Sequence, residues 1–285
     1  PNQKARVVKL YQELGHTVGF MGDGINDALA IRQADVGISV DSAVDIAKET
    51  ADIILLEKDL MVLEEGVIEG RKTFGNVNKY IQMAVSGNFG NMISVLIASI
   101  FLPFLPMLPV QILVQNLLSD FSQLGIPFDK VDESYVEEPR KWNTKSITRF
   151  MLWFGPISSI FDVITFAVMW YVIPSMLGLN PIESSRMFQA GWFIFGTLSQ
   201  ILIVHVIRTK KIPFIQSNAS KPLIGSSLVI GAISLAIAFT KVAVSIDMDK
   251  LPLIYLPILA AILVGYMLLT QLIKVIYIKI YDEWL

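Results

Sequence analysis

The chain has 285 residues, of which 53 % are hydrophobic and 17 % charged, with a mean hydropathy of +0.57 and a net charge of −2. These values exclude a disordered chain, a fibrous repeat and an ordinary soluble enzyme, and they give no electrostatic basis for nucleic acid as a partner. With no cysteine, there is no disulfide framework, zinc–thiolate site or cysteine nucleophile.

Charge is unevenly distributed. Residues 1–79 carry 22 charged side chains, whereas the 206 residues of 80–285 carry 26. The density falls more than twofold across position 80, so a water-soluble part precedes a lipid-soluble one. The fold class that follows is mixed: a partial α/β domain over 1–59, a stalk helix over 60–79, and a six-helix all-α transmembrane bundle over 80–285.

In chain order, Lys4–Leu14 places Val7, Leu10, Tyr11 and Leu14 at helical spacing, and Gly15 ends the helix. Thr17–Met21 reads as a short strand, followed by the turn Gly22-Asp23-Gly24-Ile25-Asn26-Asp27 and a helix over Ala28–Ala34. Val36–Val40 is a second strand, Ser42–Thr50 a helix and Ile53–Leu56 a third strand. This alternation implies a parallel sheet with chemistry at the strand C-termini. From Leu60 the pattern is helical with no proline before Pro103, and Gly66, Gly70 and Gly75 are its weak points.

Six apolar stretches approach the ~20 residues needed to cross a bilayer: Tyr80–Phe101, Val110–Phe128, Phe150–Ile173, Met187–Ile207, Leu223–Thr240 and Pro252–Tyr277. If Arg71, Lys72 and Lys79 are cytoplasmic, that side collects 14 Lys/Arg against 3 (Arg186, Lys241, Lys250) on the other. The bias predicts a multi-pass protein whose soluble part and C-terminus are both cytoplasmic, with the lipid bilayer as its partner.

The turn carries the first chemical signal. Gly22 and Gly24 permit a tight bend at a strand end, Asp23 can face a hard cation such as Mg²⁺, and Asn26 or Asp27 can cap the next helix. Capping alone accounts for the pattern as well as catalysis does. A dinucleotide fingerprint is excluded, because its third glycine position holds Asp27.

Gly22-Asp23-Gly24-Ile25-Asn26-Asp27-Ala28, with Lys4 upstream and Ala34-Asp35-Val36-Gly37-Ile38 downstream, resembles the phosphorylation-domain signature of P-type ATPases. The resemblance implies a haloacid-dehalogenase-like domain and an aspartyl-phosphate intermediate. It also implies that Lys4 contacts the phosphorylated aspartate, Asp23 holds the catalytic Mg²⁺, Asn26 bonds phosphoryl oxygens and Asp27 orders the loop. The family's Asp-Lys-Thr-Gly-Thr and Thr-Gly-Glu-Ser motifs do not occur in the chain. The expectation is therefore a C-terminal piece of a pump, inactive alone, whose partner is the missing N-terminal part with its ATP-binding domain.

In the membrane half, Asp120 and Asp162 are ionisable groups deep in spans, where charge is costly and defaults to function. Asn116, Asp120 and Gln123 share a helix face beside Ser119, and Asn88 and Asn91 share a face of the preceding span. A short uncharged turn joins these spans, so hard oxygen ligands suited to Mg²⁺ or Ca²⁺ can converge. Interhelical hydrogen bonding explains the two asparagines equally well. By resemblance, Asn88, Asn91, Asn116, Ser119 and Asp120 match positions that bind the transported cation in P-type pumps. Calcium pumps carry an acid where this chain has Asn91.

Longer strings narrow the resemblance. Gln115–Gln123, Pro139–Trp142, Gly155–Asp162, Ser199-Gln200 through Val204-His205, and Arg208–Ser217 are similar to bacterial magnesium-transporting P-type ATPases. What this implies is ATP-driven Mg²⁺ import across the bacterial inner membrane by alternating access, with the Leu60–Phe101 helix passing strain to Asn88 and Asn91. The alternatives are a pump for calcium, sodium or protons, or a non-enzymatic six-helix membrane protein. For the remaining polar residues, a packing partner such as Gln200 or Ser199 and a place on the ion pathway account equally well for Asp162, and His205 reads as an interface residue. The five tryptophans read as an aromatic belt, and the acidic 129–138 loop as a solvated surface.

Overall fold

A computed structural model describes residues 1–57 and 59–284. The chain divides into two compact units, Pro1–Gly70 and Arg71–Leu285. It is mostly helical, and its one described sheet is small.

In the first unit, helix α1 (Asn2–Glu13) precedes strand β1 (Gly19–Met21), a 3₁₀ turn (Ile25–Asp27), helix α2 (Ala28–Gln33), strand β2 (Val36–Val40), helix α3 (Asp45–Thr50) and strand β3 (Ile53–Leu55). The strands pair in the order β1-β2-β3, all parallel, with Gly19 opposite Val36 and Ile38 opposite Ile53. Four of the five β2 residues are buried, as expected of a central parallel strand. The core joins Ile31, Ile38, Val40, Ala47 and Leu55, with Val62 and Leu63 packed against it.

Helix α4 (Leu60–Phe101) is one unbroken element of 42 residues, about 60 Å long at 1.5 Å per residue. Gly66, Gly70 and Gly75 do not interrupt it. Gly75 has a packing role: a Cβ there would lie 2.9 Å from the Tyr135 ring.

The second unit continues with α5 (Pro109–Gln123), a 3₁₀ turn (Ile126–Phe128), the short α6 (Glu133–Val136), α7 (Thr144–Ala167), a π-helical turn (Val168–Val172) and α8 (Ile173–Leu177). Then follow α9 (Pro181–Ile207), α10 (Lys221–Phe239), a 3₁₀ turn (Lys241–Ile246) and α11 (Tyr255–Tyr281). Side chains cap the helices that start in the connecting loops. Asn143 Oδ1 accepts from the Lys145 and Ser146 amides, and Asn180 and Glu183 form a reciprocal capping box ahead of α9.

Among the described residues, five segments are long and apolar enough to cross a membrane: Leu60–Phe101, Thr144–Leu177, Pro181–Ile207, Lys221–Phe239 and Tyr255–Tyr281. The expected second span, Val110–Phe128, is not among them. Its helix stops after 15 residues, because the chain unwinds at Leu124-Gly125 and Pro127 has no amide hydrogen with which to extend it. Helix α9 is the centre of the bundle, with 78 % of its apolar window buried against 22–33 % for the other four segments.

Helices α4 and α7 cross at two glycines. A Cβ on Gly90 would meet the Gly155 carbonyl oxygen at 2.6 Å, and one on Gly155 would meet the Phe89 ring at 2.7 Å. Ser159 Oγ donates to the Gly90 carbonyl across this contact at 3.0 Å. Gly90→Val is expected to destabilise the protein by about 1–3 kcal/mol, measured by thermal unfolding in detergent. Gly66→Ala, where nothing lies within 4 Å of the added carbon, is the neutral or stabilising control.

The acidic 129–138 loop is only partly a solvated surface. Asp129 is 6 % exposed and accepts from Arg208 Nη1 at 3.0 Å, Lys79 Nζ at 3.4 Å and the Ser220 amide at 3.0 Å. Asp132 accepts from Thr209 Oγ1 and the Lys210 amide, whereas Glu133, Glu137 and Glu138 are exposed. The tryptophans do not form a simple belt either. Trp192 and Trp284 are buried, and Trp284 Nε1 donates to the Ile207 carbonyl at 3.1 Å. Beside it, fully buried Lys274 donates to the carbonyls of Val206, Thr209 and Lys211, satisfying and neutralising the C-terminal end of α9.

Candidate phosphoryl-transfer and cation sites

In the first unit the predicted turn sits at the C-terminal end of β1. Lys4 Nζ of α1 lies 2.5 Å from Asp27 Oδ1, and Asp27 Oδ2 accepts from the Gly24 amide at 3.3 Å. A Cβ on Gly22 would collide with the Asp27 side chain, so glycine is what lets this carboxylate fold back over the turn. Ser39 Oγ of β2 donates to the Gly22 carbonyl at 2.9 Å and fixes the loop from below. The Lys4 ammonium, with the Gly24 amide, holds the Asp27 carboxyl below its ordinary range. The pair's contribution is therefore complete at neutral pH and is lost as pH falls through and below the usual aspartate range.

Asp27 is thus a buried loop organiser paired with Lys4, and it makes no side-chain cap bond to α2. Asp23 and Asn26 are exposed at the same turn. Among the described residues no three acidic or histidine side chains gather as a metal cluster. A Mg²⁺ ion here would meet the exposed Asp23, the Asp27 carboxylate of the same turn being taken up by Lys4 and the Gly24 amide. This fits a hard cation that keeps water and takes its other ligands from phosphate.

In the second unit Asn88 of α4, Asn116, Ser119, Asp120 and Gln123 of α5, and Gln200 of α9 line one cleft of about 210 Å³. Ser119 Oγ donates to Gln200 Oε1, tying α5 to α9. Gln123 Oε1 is buried without a hydrogen-bond partner, an orphaned oxygen that suits a cation or its water. Asn88, Asn116 and Asp120 are exposed, so their oxygens are available.

Asn91 does not join this group. It lines a separate cavity of about 30 Å³ with Ser86, Ser158, Asp162 and Tyr266. Gln200 borders both spaces; the sequence marks it as part of a string and as a packing candidate for Asp162, but not for the cation cleft, since a lone glutamine in a span gives no metal signal. Asp162 is held by Ser94 and Trp192, not by Gln200 or Ser199. His205 is an interface residue, its Nε2 hydrogen-bonded at 3.0 Å to Ser227 Oγ of α10.

Residues 104–276 match the family described as cation transporting ATPase, C-terminus. The chain is 57 % identical over 284 residues to the magnesium-transporting ATPase, P-type 1, of Salmonella typhimurium. It is 58 % identical over 281 residues to the protein of the same name from Escherichia coli. These alignments cover 100 % and 99 % of this chain but only 31 % of each relative. A calcium-transporting ATPase of Bacillus subtilis is 29 % identical over 213 residues, covering 72 % of this chain and 23 % of that protein. A multi-pass membrane chain, it belongs to the cation-transporting ATPase family and matches the C-terminal region of its members.

Proposed function

We propose that this chain is the C-terminal part of an ATP-driven magnesium importer of the bacterial inner membrane. It supplies part of the phosphorylation site and part of the ion site. Residues 1–59 are then the end of a haloacid-dehalogenase-like phosphorylation domain, 60–79 its stalk, and 80–285 six spans with the C-terminus in the cytoplasm. Helix α5 and the turn after it make the second of these six spans, a short one that packs one face on α9 and α10. ATP binds in the upstream part, which the greater length of the relatives makes room for.

In the first unit Lys4 neutralises an aspartyl-phosphate, Asn26 donates to phosphoryl oxygens and Asp27 holds Lys4 and the Gly22–Gly24 turn in place. Asp23 is the residue that would hold the catalytic Mg²⁺, whose chemistry is to offset charge on the phosphoryl group. In the second unit Asp120 supplies the only carboxylate of the cleft, and Asn88, Asn116, Ser119 and Gln123 supply neutral oxygens. Asn91 serves the same pathway one step away. A site with one carboxylate and several neutral oxygens suits a transported Mg²⁺ that retains water. Movement of α4 couples the two units by alternating access.

The observation that carries this reading is the cleft, which gathers hard oxygens from α4, α5 and α9 around Asp120. Calcium transport is the second reading, supported by the similarity to the Bacillus protein. Growth of a bacterial strain lacking magnesium uptake decides between them. The full-length protein is expected to rescue growth at low magnesium, and no rescue, with calcium movement instead, overturns the reading. Asp23→Asn is expected to lower phosphoenzyme formation at least about a hundredfold, measured by acid-stable labelling from ATP. Normal labelling would remove Asp23 from the site.

A further inference from the structure

Asp162 sits within α7 and is 3 % exposed. Trp192 Nε1 of α9 donates to its Oδ1 at 2.7 Å, and Ser94 Oγ of α4 lies 2.6 Å from its Oδ2. The same Ser94 Oγ lies 3.0 Å from the Gly90 carbonyl oxygen. A serine hydroxyl has one hydrogen, so it cannot donate to both acceptors at once.

Two arrangements are possible. With an ionised carboxylate, Ser94 donates to Asp162, and a full negative charge is left with two neutral donors. With a neutral carboxyl, Oδ2–H donates to Ser94 Oγ, Ser94 donates to the Gly90 carbonyl, and Trp192 donates to Oδ1. The second arrangement uses every hydrogen and strands no charge. The back-bond from Ser94 to the carbonyl four residues earlier is a common habit of serine in membrane helices.

The surroundings favour the neutral form. In the adjoining cavity α4 presents Ser86 and Asn91, α7 presents Ser158, α9 presents Ser199 and Gln200, and α11 presents Tyr266. Tyr266 is the one other titratable group on that wall among the described residues, and no lysine, arginine or histidine lines it. A buried charge with no counter-charge is strongly disfavoured. The cavity, about 30 Å³, matches one water and gives a proton a place to arrive from and leave to.

We propose that Asp162 is a proton-binding site of the membrane bundle, whose bound proton latches α4 to α7 and α9. Losing that proton leaves a buried carboxylate with two neutral donors and no counter-charge at the crossing of the three helices, and disfavours the arrangement described. The latch is complete at low pH and is lost as pH rises.

The test uses the full-length protein. Infrared spectra of wild type and Asp162→Asn should differ by a protonated-carboxyl stretch present at neutral pH only in wild type. If Asp162→Asn does not fold, Ser94→Ala serves instead. It removes the acceptor, and the band should move to higher frequency. A missing band, or one that Ser94→Ala leaves in place, overturns the proposal. Activity gives a second arm, which rests on the proposed pumping function. Wild-type ATP hydrolysis should fall about tenfold per pH unit along its alkaline limb. Asp162→Asn, whose amide hydrogen replaces the carboxyl hydrogen, should keep the acid-side rate and lack the limb. An unchanged limb in that variant counts against the proposal. A wild type that hydrolyses no ATP instead defeats the pumping function, and the infrared band then decides alone.

Discussion

Asp120→Asn in the full-length protein is expected to abolish magnesium transport while leaving the fold intact. Asp120 is the one carboxylate in a cleft whose other polar wall groups are amides and hydroxyls. Asparagine keeps the size and an oxygen but removes the charge facing a divalent ion. At an effective dielectric near 20, a unit charge pair about 4 Å apart is worth about 4 kcal/mol, which makes a loss of at least about a hundredfold in cation affinity a conservative figure. Because Asp120 is exposed, whereas it is Ser119 that ties α5 to α9, the melting temperature should barely change. Uptake and ATP hydrolysis measured against magnesium concentration check this, and near-normal values would remove the cleft as the transport site.

Asp129→Ala carries the largest expected loss of stability. Lys79 and Arg208 have side chains only 4 % and 2 % exposed, and Asp129 is the carboxylate that pairs with both. Removing it strands two buried cations and frees the Ser220 amide at the start of α10. Breaking a buried ion pair from one side costs about 3–5 kcal/mol. For a unit of this size that is a fall of roughly 6–20 °C in melting temperature, read by thermal unfolding of the purified protein in detergent. Replacing Asp129, Lys79 and Arg208 together by apolar residues of similar volume should recover most of the loss, because no charge is then left unpaired. A single-variant shift under about 2 °C would mean that water reaches the site and screens it.

Asp129 also marks a limit of what the amino-acid sequence reveals. A run of five acids over 129–138, with Lys130 as its one cation, reads as solvated because charged runs ordinarily face water. Its partners lie 50 residues before and 79 after, and only the packing of α4 against the end of α9 unites them. The tryptophans are similar: position near a span end does not reveal that Trp192 turns inward to Asp162. By contrast, the parallel strands, the long α4 and the Gly22–Asp27 turn were legible, since apolar periodicity and glycine placement are local signals.

The cleft proposed for the cation is legible in part as a grouping of residues. Asn116, Ser119, Asp120 and Gln123 were grouped from spacing on one helix and do line one cleft. Asn88 and Asn91 were grouped in the same way, yet three residues of helix separate two side chains by about 60° around the axis. That angle is enough for Asn88 to line the cleft while Asn91 lines the smaller cavity by Asp162. The length of α5 is legible only in part: Gly125 and Pro127 mark where the helix gives out, but Leu124, Ile126 and Phe128 carry the apolar pattern past it, so the span reads longer than the helix.

Transport by the full-length protein in sealed proteoliposomes tests the central claim most directly. With the soluble unit facing outward and ATP supplied outside, an importer carries magnesium from the lumen to the outer solution. Lumenal magnesium is predicted to fall on addition of ATP, and to stay constant with Asp120→Asn. Constant lumenal magnesium in the wild type, or ATP-driven accumulation of calcium in its place, would contradict the account.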